Sequence, residues 1–226
     1  MVVFDLDGVL IDSESIWDDA RRKVTLESGG RWTESATRDM MGMSSVEWSR
    51  YLRDRLGAEG EPPSIAAAVE ARVLAALGAG VPWLGGAPEA VGRVARDRPV
   101  AIASSANRSV IDLVIERGGL EGAVSATVSS EEVARGKPAP DVYLEAARRL
   151  GADPSSGVAI EDSTNGLRSA WRAGFAVVAL PNRRFPPDPE ALRLAVEVIS
   201  SLDRLTSDLL DAALRSARPC GETLRP

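Results

Sequence analysis

The chain opens Met1-Val2-Val3-Phe4-Asp5-Leu6-Asp7-Gly8-Val9-Leu10, a short apolar run that ends in two aspartates and a glycine. Side chains two apart in an extended chain share a face, so Asp5 and Asp7 can be aimed at one point beyond the end of a strand. Paired carboxylates there suit a hard divalent cation and chemistry on a phosphate ester. The pair has a second reading, because aspartates also terminate strands and Asp before Gly favours turns. Three later segments supply what a phosphate site would still need. Ala101-Ile102-Ala103-Ser104-Ser105-Ala106-Asn107 offers a hydroxyl after an apolar run, and Gly136-Lys137-Pro138-Ala139-Pro140-Asp141 offers a lysine in a Pro/Gly turn. Val158-Ala159-Ile160-Glu161-Asp162-Ser163-Thr164-Asn165-Gly166 offers an acidic pair after another apolar run.

Such residues act together only if strands deliver them to one place. From about Trp83 the sequence alternates strand and helix, with strand candidates at Val100–Ala103, Ala123–Val128, Val158–Ile160, Phe175–Leu180 and Val196–Ile199. Amphipathic helix candidates fall at about 87–97, 107–117, 140–150 and 163–173. Apolar strands alternating with helices predict a parallel sheet covered on both faces, with ligands beyond the strands' carboxyl ends. Asp5, Ser104 and Glu161-Asp162 all stand at such ends. Residues 14–82 read differently, as helices with no convincing strand: Ser15–Leu26, two short segments broken at Gly42, and an Ala-rich stretch from Ile65 to Leu77. The expected organisation is an α/β core of residues 1–13 and 83–226 with a helical cap at 14–82. Ile11–Glu14 leads out and Gly78–Pro82 leads back, near the catalytic end of the sheet. Pro219 to Pro226 is expected to fray.

With four motifs in this order, the chain resembles the haloacid dehalogenase superfamily, in particular its phosphatases with a helical cap after the first strand. That branch also holds beta-phosphoglucomutase. The resemblance implies a Rossmann-like parallel core, Mg²⁺ as cofactor and an aspartyl-phosphate mechanism. It makes Asp5 the nucleophile and Asp7 the general acid-base. Dehalogenases lack the second aspartate, so Asp7 points to phosphate esters. Ser104, with Ser105, Asn107 and nearby backbone N–H groups, would hold phosphoryl oxygens, although all three side chains also suit helix capping. Lys137 would supply fixed positive charge. Asp5, the Asp7 backbone carbonyl and Asp162 would hold the metal, with Glu161 beside or behind them; Asp162 also suits a helix N-cap.

Composition narrows the remaining choices. The 226 residues contain no histidine, which excludes His-based triads, phosphohistidine and His-ligated zinc. A net charge of −6 gives no support to nucleic-acid binding and means that an anionic substrate needs a local cation. The single cysteine, Cys220, makes no internal disulfide. Neither a secretory signal nor a membrane span is expected, so we read a cytoplasmic monomer acting on a small phosphorylated metabolite. In the cap, beta-phosphoglucomutases carry Lys at Met41, Arg at Ser45 and a histidine at Trp17; losing those cations weakens a mutase reading. Asp12-Ser13-Glu14-Ser15-Ile16-Trp17-Asp18 looks more like the sugar-phosphate phosphatases of the branch. Trp17, Met43 and Trp48 could line the substrate pocket or fill the cap's own core. Arg21, Arg22 and Arg108 are candidate substrate cations with nothing to rank them, and Arg183-Arg184 reads as a solvated turn. A phosphoaspartate switch module uses similar groups, but its acceptor aspartate follows a later strand and it has no helical insertion.

Overall fold

Residues 1–40 and 43–217 are described by the computed structural model. Six strands form one sheet: β1 (Val2–Phe4), β2 (Val100–Ser104), β3 (Ala126–Ser129), β4 (Val158–Glu161), β5 (Ala176–Ala179) and β6 (Glu197–Val198). Their order is β3-β2-β1-β4-β5-β6 and every pairing is parallel. β1 is therefore central, with Phe4 in register with both Ile102 and Ile160. Its alternation is buried on both sides. Val2 and Phe4 join one core with Ile102 and Ile160, while Val3 joins the other with Ala101, Ala159 and Tyr143. That is why β1 reads as continuously apolar in sequence.

Among the described residues, four helices lie between β1 and Gly80: α1 (Glu14–Glu27), α2 (Ala36–Met40), α3 (Ser45–Asp54) and α4 (Pro62–Ala79). α3 starts at a capping box, in which Ser44 and Glu47 satisfy each other's backbone N–H groups. α4 starts with Pro62, whose missing N–H costs nothing at that position, and is rich in alanine. Its inward stripe is Ile65, Val69, Val73 and Leu77, all buried, and it packs on α1, α3 and the core helix α6 (Arg108–Gly118). The two crossings run side by side: Asp12 N donates to Pro82 O at 2.8 Å and Leu84 N to Leu10 O at 2.9 Å. Gly42, the expected break between the two short helical segments, lies with Met41 outside the described residues, as do Cys220 and the expected frayed tail.

α5 (Ala87–Ala95), α6, α7 (Asp141–Arg149) and α8 (Thr164–Arg172) all fall within two residues of the helices expected from periodicity. Two edges of the sheet differ. β3 begins at Ala126, because the N–H groups of Ala123 and Val124 both close a turn onto Leu120 O. β6 is two exposed residues, held by Val196 N to Val177 O and Ile199 N to Ala179 O. Two further helices, α9 (Pro189–Leu192) and α10 (Ser207–Ser216), had no counterpart in the sequence reading. Among the described residues no helix is long and apolar enough to cross a membrane.

Leu77 is fully buried at the end of α4's stripe. Leu77→Ala should lower the unfolding free energy by about 2–4 kcal/mol, read from the denaturant midpoint. A loss below about 1 kcal/mol would mean that α4 does not pack as described.

Candidate active site

Three strand ends converge because of β1's central place. Asp5 follows β1, Ser104 ends β2 and Glu161 ends β4, and Asp5 N is tied across to Ile160 O at 3.0 Å. Lys137 reaches in from the loop after β3. Its Nζ donates to Asp5 Oδ1 at 2.7 Å and to Glu161 Oε1 at 2.6 Å. The lysine is only 3% exposed and Glu161 is wholly buried. Burial alone would depress the Lys137 ammonium, but Asp5 and Glu161 outweigh it and hold it above the usual lysine range.

Glu161 organises this cluster. Its Oε1 also accepts from Tyr143 Oη at 2.8 Å, and the Tyr143 ring lies 5.1 Å from Lys137 Nζ. Its Oε2 accepts from Asp162 N at 3.1 Å and from Ser163 N at 3.4 Å, at the start of α8. The space for that carboxylate exists because Gly166 has no side chain: a Cβ there would stand 1.9 Å from Glu161 Oε2. Gly8 does the same for Asp162, whose Oδ2 lies 2.0 Å from where a Cβ would be. Gly8 also has φ of +85°, a conformation that favours glycine.

The charges in this cluster do not balance. Asp5, Glu161 and Asp162 each present an oxygen within 4.8 Å of the others, and the one ammonium among them leaves two negative charges in excess. Burial pushes the Asp5 carboxyl up to about 8, with Lys137 pulling against it and Glu161 and Asp7 adding to it. Burial, Glu161 and Asp5 likewise raise Asp162 well above the carboxylate range. An all-oxygen donor set with two unmatched negative charges fits a hard divalent cation such as Mg²⁺.

Asp7 faces a different set of partners. One carboxylate oxygen, Oδ1, accepts from Trp17 Nε1 at 2.9 Å and from Ser13 Oγ. The other, Oδ2, lies 3.4 Å from Ser104 Oγ, which itself accepts from Ala106 N at 2.9 Å. Asp5, Asp7, Trp17, Met43, Trp48, Ser105, Lys137 and Asp162 all line one pocket of about 50 Å³, together with Glu14, Arg21, Ala106 and Ser163. Ser104 lies beneath this wall. Asn107 is turned away from it, and its Nδ2 donates to Glu131 Oε1 at 2.8 Å. Trp17 and Trp48 are both pocket wall and core, being buried with ring centroids 6.3 Å apart. Arg108 pairs with Thr127, Asp112 and Glu132, and Arg183 and Arg184 are exposed.

Sequence reasoning missed Tyr143, Ser13 and Glu14. Tyr143 sits on the apolar stripe of α7 and reads as core; the signal was its place six residues after Lys137, on the first turn and a half of the next helix. Ser13 and Glu14 stand in the crossing itself, where residues leaving a catalytic strand end are close to it by necessity.

Residues 2–180 match the family model of the haloacid dehalogenase-like hydrolases. The chain is 32% identical over 213 residues to hexitol phosphatase B of Escherichia coli strain K12, covering 92% of this chain and 95% of that protein. It is also 32% identical over 207 residues to the bifunctional riboflavin kinase/FMN phosphatase of Arabidopsis thaliana. That alignment takes in 89% of this chain and 53% of the relative, so the chain spans about half of the bifunctional protein's length. The crystal structure of CbbY from Rhodobacter sphaeroides in complex with phosphate superposes with a TM-score of 0.82 at 25% identity, over 93% of this chain and 98% of that one. The four motifs meet at the carboxyl edge of one parallel sheet, the family model spans most of the sequence, and the chain belongs to the haloacid dehalogenase-like hydrolases.

Proposed function

We propose that the chain is a Mg²⁺-dependent phosphatase that hydrolyses a small phosphomonoester, a sugar or polyol phosphate, through an aspartyl-phosphate intermediate. The observation that carries this reading is a buried carboxylate, Asp5, held 2.7 Å from an ammonium at a pocket, beside surplus negative charge. The likeness to hexitol phosphatase B supports a polyol phosphate as substrate. Asp5, Asp162 and the Asp7 backbone carbonyl would hold the Mg²⁺, with Glu161 behind them. When bound, the ion keeps Asp5 ionised and offsets charge on the phosphoryl oxygens.

The reaction then follows from what each side chain can give. An Asp5 oxygen attacks phosphorus in line while the ester oxygen departs, and Lys137 offsets the charge on the phosphoryl group. Asp7 gives its proton to the departing alcohol, then takes one from the water that attacks the aspartyl-phosphate. That second step breaks the Asp5–phosphorus bond, frees the Asp5 carboxylate and releases phosphate. The hydrogen bonds to Asp7 support this role, because Trp17 and Ser13 secure one oxygen, while the other, with only a long 3.4 Å bond from Ser104 Oγ, is left to carry the proton. Residues 14–82 serve as the cap and residues 1–13 with 83–226 as the core; the pocket walls drawn from both support that division.

Phosphate release from a panel of sugar and polyol phosphates should require Mg²⁺, stop with chelator, and fall by about 10³-fold or more in Asp5→Asn. Turnover that survives both treatments would sink the aspartyl-phosphate reading. Asp7→Asn should slow alkyl phosphates by about 10²–10⁴-fold but spare much more of the rate on p-nitrophenyl phosphate, whose phenolate leaves without a proton. Equal losses on both would remove Asp7 from acid catalysis. Tyr143→Phe removes one donor from Glu161; we expect a stability loss of about 1–2 kcal/mol and a kcat reduced about tenfold with KM little changed. An unchanged kcat would make Tyr143 a packing residue only.

A further inference from the structure

Arg21 breaks the pattern of its own helix. The inward stripe of α1 is Trp17, Ala20, Arg21, Val24 and Thr25, and the arginine in it is 7% exposed. Its guanidinium lies against two indole rings, 5.1 Å from the Trp17 centroid and 5.2 Å from that of Trp48. Nη1 stands 4.0 Å from Glu14 Oε1, which is attraction without a hydrogen bond. Arg21 Nε and Glu14 Oε1 are both buried, and neither has a hydrogen-bond partner among the described residues. Both residues line the pocket that holds Asp5 and Asp7.

Buried polar atoms are rarely left unpaired, because each such atom forfeits its hydration without return. Here a donor and an acceptor are left over in the wall of the one pocket that a substrate must enter. We propose that Arg21 and Glu14 form the leaving-group subsite, and that they select a phosphomonoester whose alcohol portion carries free hydroxyls and no further negative charge. This rests on the phosphatase reading above and adds which part of the substrate is read, and by what. A hydroxyl group donates and accepts at once, so a polyol can satisfy Glu14 Oε1 and Arg21 Nε together. A second anionic group would satisfy Arg21 alone. It would then face Glu14, Asp7 and Asp18, the carboxylates whose fields Arg21 feels. The two tryptophans fix the guanidinium in place beforehand through cation–π contact, so little ordering remains to be done on binding.

The test compares esters that differ only in their hydroxyls, using the intact wild-type protein. Glycerol 1-phosphate is set against propyl phosphate, sorbitol 6-phosphate against hexyl phosphate, and 3-phosphoglycerate serves as the acidic counterpart. We expect kcat/KM to favour the hydroxylated member of a pair by roughly a hundredfold and to place the acid below it. In Arg21→Met and in Glu14→Gln that ratio should fall to within a few-fold of unity. The comparison within wild-type protein stands even where a variant fails to fold. Equal turnover of both members of each pair, preference for the acid, or a ratio unmoved in folded variants would overturn the subsite and leave the phosphatase reading intact. Failure of every ester, p-nitrophenyl phosphate included, would overturn the phosphatase reading itself.

Discussion

A single buried ammonium, Lys137 Nζ, ties together three stretches of chain that are far apart in sequence. Asp5 comes from the end of the first strand, Glu161 from the end of the fourth, and Lys137 from a loop between them. Desolvating three charged groups is expensive, and only close pairing with further hydrogen bonds offsets that cost. The structure provides those bonds: Tyr143 Oη and the amides of Asp162 and Ser163, just before α8, complete the hydrogen bonding of Glu161. Removing the Lys137 ammonium strands Asp5 and Glu161 without water, a loss of about 3–5 kcal/mol in comparable buried pairs. The same residues therefore hold both the candidate site and the folded core together.

The backbone yields to this cluster. Gly8 and Gly166 lie where any larger residue would collide with Asp162 or Glu161. The turn leading into α8 is wrapped around the Glu161 carboxylate, which takes the N–H groups of Asp162 and Ser163, while the Ser163 side chain caps Gly166 N. Helix initiation, strand ending and charge placement are solved by one short stretch, Glu161 to Gly166.

Much of this was legible before the structure. A parallel strand buried on both faces can only be apolar throughout, so Val158-Ala159-Ile160 and Val100–Ala103 announce themselves, and chemistry-bearing residues at their carboxyl ends follow. What stayed hidden depends on contacts between elements. α10 buries only Leu210 and Ala213, too narrow a stripe to stand out. β6 is two exposed residues that exist as a strand only because β5 lies beside them. Asn107 stands two residues from Ser105 in sequence, but its side chain turns to Glu131 and away from the pocket. An arginine on a helix reads as a surface residue, and Arg21 becomes a pocket wall only once Trp48 of α3 closes over it.

The side-by-side crossings have a mechanical consequence. Because the outgoing and returning chains are bonded to each other at Asp12–Pro82 and Leu10–Leu84, the α1–α4 layer is attached by a two-stranded ribbon and not by two loose threads. The ribbon is not that layer's sole attachment: α4 also packs on α6, and Ser109 Oγ of α6 donates to Glu70 of α4. Trp17 belongs to the layer and Asp7 to the end of β1, so the bond between them ties the layer to the strand end directly. A displacement of α1 away from the sheet would therefore cost Asp7 Oδ1 one of its two donors.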